Sequence, residues 1–193
     1  MKYHDDSTTA SDSIYLTLDE TKLKFLMPEL FTPIRKLKHR MRSLGFHSYR
    51  EQLTEHIAFG DSQGAIVASI EPLQIAAYNE DIDCIVLLRY SSGIQKRYGF
   101  ELGDRLVCIN TFGQSNKLQA DLIPGKNNSQ MWSLVHPIIG DLLSSDKKLL
   151  DNRRQEIGEK GYQYIQTLVD QYLLKKPNVY RNGKPFLAIK VLV

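Results

Sequence analysis

The chain has 193 residues, of which 42% are hydrophobic and 24% charged, and its formal net charge at pH 7 is +3. This composition excludes a wholly disordered chain, because enough apolar surface is present to form a core, and the length is typical of one domain. The nearly balanced charge excludes a molecule whose overall field attracts nucleic acids or membranes, so such partners must be sought in local clusters.

Residues 1–13 are rich in Ser, Thr and Asp and have no hydrophobic periodicity, which predicts a disordered tail. Acidic residues stand where a signal peptide needs positive charge, and no downstream run reaches the roughly 18 apolar residues of a membrane span. We therefore expect a cytoplasmic protein with no membrane span, in which residues 14–193 form a single domain.

The segment 33–44 has the pattern of an amphipathic helix, in which apolar residues recur at helical spacing. Thr32 can cap its N-terminus and Gly45 can end it. No acid occurs between Leu30 and Arg50, whereas the polar side of the helix carries five cations: Arg35, Lys36, Lys38, Arg40 and Arg42. The pattern predicts a helix that packs on the core and exposes a basic face.

Short apolar runs separated by turn residues begin at Gly64 and predict β-strands. The expected strands are 65–70, 74–78, 84–90, 105–112 and 118–123. The third and fourth runs do not alternate with polar residues, so both faces of these two strands should be covered. Cys84 and Cys108 lie within them, and we expect both thiols to be buried and reduced.

Helical periodicity returns in the C-terminal part of the chain. It predicts one helix over 131–143, with a kink or break at Pro137, and a second over about 145–176. Gly158 and Gly161 lie within the second helix, where each weakens helical structure, so a bend is expected near one of them.

The last residues, 186–193, present one wholly apolar face at a spacing of two and predict a final strand. The predicted strands cluster in the middle of the chain and the helices lie towards its ends. This segregation predicts an α+β fold: a mostly antiparallel central sheet of about five or six strands, with N-terminal and C-terminal helices packed on it.

Residues 60–64, Gly-Asp-Ser-Gln-Gly, resemble the G-x-S-x-G nucleophile elbow of serine hydrolases. The resemblance implies Ser62 as a nucleophile, for which the chain order offers His136 as the base. That elbow requires a strand before it and a helix after it, whereas a strand is predicted directly after Gly64. The context therefore favours a turn that leads into a strand.

Asp81 and Asp83 precede the buried strand that begins at Cys84, and they are candidate ligands for Mg²⁺. The five histidines have no spacing typical of a zinc site, and the chain has no glycine-rich phosphate loop. We therefore expect no cofactor.

No catalytic constellation is well formed in the sequence, so the leading hypothesis is a non-enzymatic interaction or regulatory domain. In this hypothesis the contact surface is either the C-terminal helix, which binds a protein partner or a second copy of the chain, or the basic helix 33–44. The first alternative is nucleic-acid binding through the basic face of 33–44. The second alternative is a serine hydrolase that uses Ser62 and His136.

Overall fold

The computed structural model describes residues 12–32, 49–115, 117–128 and 133–185. Helices pack on a curled, almost wholly antiparallel sheet, which confirms the predicted α+β architecture. The predicted helix 33–44, the predicted final strand 186–193 and the tail residues 1–11 lie outside the described residues. None of the helices in the described ranges is both long and apolar enough to cross a membrane.

The described helices are α1 (Glu20–Leu26), α2 (Tyr49–Phe59), α3 (Ser92–Tyr98), α4 (Gly140–Leu143) and α5 (Lys147–Lys175), and a 3-10 turn, Pro28–Phe31, follows α1. The described strands are β1 (Asp61–Ile70), β2 (Leu73–Asn79), β3 (Cys84–Arg89), β4 (Arg105–Gln114), β5 (Leu122–Pro124), β6 (Ser133–Ile139) and β7 (Arg181–Asn182). The first four predicted strands and the predicted helix over about 145–176 are confirmed, whereas no helix was predicted at α2 or α3. The predicted strand 118–123 is wrong for most of its length, because β5 begins only at Leu122.

The strands are ordered β5-β3-β2-β1-β4-β6, and every neighbour along this path is antiparallel. Among the described strands, only the short β7 pairs in parallel, with β3. Ala65 at the centre of β1 lies opposite Ala77 of β2 and Leu106 of β4. The β1–β2 hairpin therefore lies at the centre of the sheet, and β6 is at one edge of the described strands.

The sheet curls so that β4 and β2 approach each other across one face of β1. The Cys108 thiol and the Asn110 side-chain amide both donate to the Tyr78 carbonyl of β2, over 3.3 and 3.0 Å. In a flat sheet, strands that are second neighbours lie roughly 9–10 Å apart, too far for such contacts. The concave face holds the larger of the two hydrophobic clusters, which includes the buried, free thiols Cys84 and Cys108.

Helix α5 covers the opposite face of β1, β2 and β3. Its buried residues recur at helical spacing, and they pack with Ile66, Ala76 and Leu87 of the sheet. Gly64 permits this close approach, because a Cβ atom there would lie 2.4 Å from the end of Ile165. The predicted bend is confirmed at Gly158, whose φ of 64° is a left-handed conformation that favours glycine.

The predicted helix over 131–143 is wrong for most of its length. Residues Ser133–Ile139 form strand β6, and only Gly140–Leu143 are helical. The apolar run is too short for its periodicity to distinguish a helix from a strand. It forms a strand because every residue from Ser133 to Ile139 pairs with β4. Pro137 is compatible with this strand because β6 is at the sheet edge, where a missing backbone N–H can face outward.

We predict that Gly64→Val lowers the free energy of unfolding by about 1–3 kcal/mol, because its side chain must displace Ile165 and the ring of Tyr162. Urea denaturation followed by circular dichroism measures this loss.

Gly93→Ala is the matched control, since only the Ser91 hydroxyl lies near its added Cβ, at 3.7 Å. Gly93 is helical, so this change should raise stability by about 0.5–1 kcal/mol. A Gly64→Val protein with the wild-type midpoint would contradict the close packing of α5 on β1.

Candidate functional site

Buried polar side chains are concentrated at one end of the sheet, which we call the polar end. At this end β1, β3 and β6 begin, and β2 and β4 end. The group has exposed fractions of 9% or less and comprises His56, Asp61, Ser62, Gln63, Asn79, Asp83, Asn110, Thr111 and His136. The polar end therefore contains three of the candidate site residues, Ser62, Asp83 and His136.

Ser62 and His136, the two residues of the hydrolase alternative, are not brought together. Ser62 lies opposite Ile109 on β4, whereas His136 lies on β6, opposite Thr111 on the far side of β4. Strand β4 therefore lies between the two residues in the sheet. The Ser62 hydroxyl donates to the Asp12 carbonyl. Ser62 is also part of strand β1, with helix α2 before it, which is the reverse of a nucleophile elbow.

His56 is a second buried histidine, and its hydrogen bonds define its tautomer. Its Nε2 lies 3.4 Å from the Ile109 carbonyl, which can only accept, so Nε2 carries the hydrogen. The Nδ1 atom then accepts from the Thr111 hydroxyl at 3.2 Å. Burial lowers the pKa of His56 to about 3. The pKa of His136 is also lowered, mainly by burial and to a smaller extent by the positive charge of the nearby Arg181. Neither ring favours the charged form.

Asp61 is a buried carboxyl on the concave face, opposite Asn110 in the β1–β4 ladder. Burial raises the pKa of Asp61 to about 6; the hydrogen bond from Gln63, over 3.0 Å, opposes this effect, and Asp81 and Asp12 reinforce it. A carboxyl that ionises near pH 6 is suited to proton transfer. The nearby Cys108 thiol is a poor nucleophile, because burial and the Asp61 charge raise its pKa to about 12 and keep it protonated.

Asp83, one of the two predicted metal ligands, ties three parts of the fold together. Its carboxylate accepts hydrogen bonds from the hydroxyls of Tyr78 and Tyr164, both over 2.9 Å, and from the Asn127 N–H over 2.7 Å. Asp83 is therefore engaged in structural contacts, while Asp81 is exposed. Within the described ranges, no three His, Cys, Asp or Glu residues are grouped so that they could hold a metal ion.

The predicted nucleic-acid interface falls outside the described residues. It comprises the cations of the segment 33–44: Arg35, Lys36, Lys38, Arg40 and Arg42. That interface stays a prediction.

Two exposed aromatic rings lie beside the polar end, and we call Tyr15 and Phe59 the aromatic pair. Tyr15 is 66% exposed and Phe59 is 51% exposed. Their rings meet edge to face, with centroids 5.9 Å apart and an interplanar angle of 86°. Phe59 ends α2, one residue before the Gly60 turn into β1, so the chain itself places the pair at this end of the sheet.

The backbone at Tyr15 is strained. Its φ of 53° is in the left-handed region, which a bulky side chain rarely adopts. Leu16, which follows it, is 1% exposed in the core, and the next residue, Thr17, donates its N–H to Asp146 over 2.6 Å. The Ser13 hydroxyl donates to the Phe59 carbonyl over 2.9 Å. Contacts on both sides therefore hold Tyr15 in its strained conformation, with the ring outward.

Sequence reasoning did not single out the aromatic pair, because isolated aromatic residues have no periodic signature and the two are 44 positions apart. Comparison of the chain with family models, with curated proteins and with solved structures found no match. The function must therefore be inferred from the geometry of this chain alone.

Asp61→Asn should change the pH dependence of stability. The pKa of Asp61 is about 6 in the folded protein, compared with 3.8 for an aspartate without these surroundings. Between pH 3.8 and pH 6 the folded state therefore binds this proton more tightly than the unfolded state does. The free energy of unfolding of the wild type should therefore decrease from pH 4 to pH 6 and stay reduced above pH 6. Asp61→Asn lacks this cost and should be more stable than the wild type by about 2 kcal/mol at pH 7, but by little at pH 4.

Urea denaturation at both pH values provides the measurement, and Glu101→Gln, at an exposed carboxylate, is the control. An equal stability difference at pH 4 and pH 7 would show that Asp61 carries no burial cost.

Tyr15→Gly and Tyr15→Ala together measure the backbone strain. Both remove the ring contact with Phe59, but only glycine adopts a φ of 53° without a steric penalty. Thermal unfolding should show that Tyr15→Gly is more stable than Tyr15→Ala by about 1 kcal/mol. Leu102 is exposed and has no positive φ, so there the alanine variant should be more stable than the glycine variant. The same order at both positions would mean that Tyr15 is unstrained.

Proposed function

We propose that this chain is a non-enzymatic protein-interaction domain and that the aromatic pair anchors its partner. The observation that carries the proposal is the strained, left-handed Tyr15, which presents a ring that is 66% exposed. Strained residues persist where the surrounding structure enforces them, and they occur preferentially at functional sites.

Exposed aromatic rings are typical of binding hot spots. A Tyr or Phe ring that becomes fully buried in a complex contributes a large apolar area, and Tyr is enriched among the residues that dominate binding energy. Here two such rings, Tyr15 and Phe59, already contact each other and form one raised patch. A partner that covers both therefore buries more apolar surface than either ring offers alone.

The aromatic pair is also held in place before a partner arrives. Leu16 is anchored in the core, and the backbone of Thr17 is bonded to Asp146. The Ser13 hydroxyl joins the N-terminal segment to the end of α2 through the Phe59 carbonyl. Because these contacts restrict the segment, binding loses less conformational entropy than binding through a free tail would.

Glu55, on the helix that carries Phe59, indicates the chemistry of the partner. Glu55 lies one helical turn before Phe59 on α2, and Asp146 contacts the backbone at Thr17. We infer a protein partner with an apolar pocket that is flanked by Lys or Arg, since opposite charges at the rim favour encounter and orientation.

The buried faces of the molecule support the same choice of surface. Helix α5 is one of the two contact surfaces expected from the sequence, but its apolar stripe packs on the sheet, and its residues Tyr162 and Tyr172 are 1% and 0% exposed. The hydroxyl of Ser62, the candidate nucleophile, is bonded to the N-terminal segment. The aromatic pair has no such internal role.

The test places the photo-crosslinking residue p-benzoyl-phenylalanine at position 15 or 59 of the full chain in its native cells. The expected result is one shared protein adduct from both positions. The same residue at Leu102, which is 69% exposed, should give no such adduct, because Leu102 lies in the turn between α3 and β4 and not beside the aromatic pair.

The adduct protein, once purified, provides a quantitative test. Tyr15→Ser and Phe59→Ser should each weaken its binding by about 30-fold, the loss typical of a hot-spot residue, while Leu102→Ser should leave affinity unchanged. Circular dichroism confirms that each variant is folded. Equal adducts at 15, 59 and 102, or unchanged affinity in both aromatic variants, would refute the proposed function.

A further inference from the structure

An open pocket of about 280 Å³ lies at the end of the sheet opposite the polar end. It is bounded by the C-terminal end of β3, by α3 and by the chain around β7. Small-molecule sites in proteins usually enclose about 300–1,000 Å³, so this pocket is suited to a small ligand. Nothing in the aromatic pair or in the polar end contributes to it.

Arg89 supplies the positive charge of the pocket. Its guanidinium lies over the Tyr180 ring, 4.6 Å from the centroid, and one of its N–H groups donates to the Tyr180 hydroxyl. Among the described residues Arg89 makes no ion pair, and its side chain is exposed at the pocket. Tyr180 therefore orients an uncompensated cation, and the remaining N–H groups of Arg89 are available to a ligand.

Lys184, the other cation of the pocket, is already compensated. Its ammonium forms an ion pair with Glu29 over 2.5 Å. The pocket thus offers one unpaired positive charge, which matches a ligand with one negative charge better than a phosphate dianion. The guanidinium fork also matches the planar geometry of a carboxylate.

The walls of the pocket are largely apolar. Leu26 and Ile94 provide aliphatic surface, and Tyr90 and Tyr180 provide rings. Tyr90 is 6% exposed, and its hydroxyl has no hydrogen-bond partner among the described residues. Burial raises the pKa of Tyr90, so the hydroxyl keeps its proton and remains a donor. Because the hydroxyl is buried, Tyr90 lines the pocket with its ring.

We propose that this pocket binds a small monocarboxylic acid with an apolar body, and that Arg89 pairs with its carboxylate. Leu26, Ile94 and the tyrosine rings receive the apolar part. This inference is independent of the proposed protein-interaction function, because the two sites share no residue and lie at opposite ends of the sheet.

The test uses benzoate and 3-methylbutanoate as probes and benzamide as the neutral counterpart of benzoate, each titrated into ¹⁵N-labelled full chain and followed by NMR. The expected result is saturable shifts of the Ser91, Gly93 and Asn182 amides by at least one acid, with a Kd on the order of 1 mM. Benzamide should bind at least about 10-fold more weakly than benzoate, since it has no charge to pair with Arg89.

Arg89→Gln should weaken binding of the acid by at least about 10-fold. Arg97→Gln is the matched control, because Arg97 is an exposed arginine that also lies over a ring, Phe25 at 4.2 Å, but outside the pocket. Both variants change exposed side chains, and their spectra report whether they fold. The proposal fails if benzamide binds as well as benzoate, if Arg89→Gln and Arg97→Gln bind alike, or if neither acid shifts these amides at about 20 mM.

Discussion

The packing of α5 across β1 is the contact on which the rest of the structure depends. Gly64 allows Ile165 to approach the strand, and the helix then covers the face formed by Ile66, Ala76 and Leu87. The same helix carries Arg153 to the start of β1, where its guanidinium donates to the Ser62 carbonyl over 3.2 and 2.8 Å and pairs with Asp12 over 2.7 Å. Arg153 thereby holds the N-terminal segment against the polar end, and this segment in turn presents Tyr15. The exposed aromatic pair is therefore a consequence of helix packing elsewhere.

The polar end illustrates why buried polar groups are not in themselves evidence of catalysis. The hydroxyl of Ser62, the ring of His56 and the carboxylate of Asp83 each have hydrogen-bond partners within the fold. Such bonds offset the cost of burying these groups and fix the strand ends, the N-terminal segment and the turn after β2. Asp61 differs because burial raises its pKa, so it carries a free-energy cost at neutral pH that the hydrogen bond from Gln63 does not remove.

The two proposed binding sites use different physical means. The aromatic pair projects from the surface and requires a partner with a complementary concave, basic surface. The Arg89 pocket is concave and requires a small anion with an apolar body. Antiparallel strands connect the two ends of the sheet, so one rigid framework positions both sites, although neither depends on the other for its contacts.

Local sequence patterns determined much of the architecture. Apolar runs identified β1 to β4 and the burial of Cys84 and Cys108, and helical spacing with an internal glycine identified α5 and its bend at Gly158. These features follow from hydrophobic periodicity and backbone preference, which are local properties. Tertiary structure alone decided that residues 133–139 pair with β4 as a strand, that Ser62 and His136 stay apart, and that Tyr15 meets Phe59 and Arg89 meets Tyr180. Each of these outcomes depends on whether residues distant in sequence meet in the fold, and a periodic pattern along the chain does not predict such contacts.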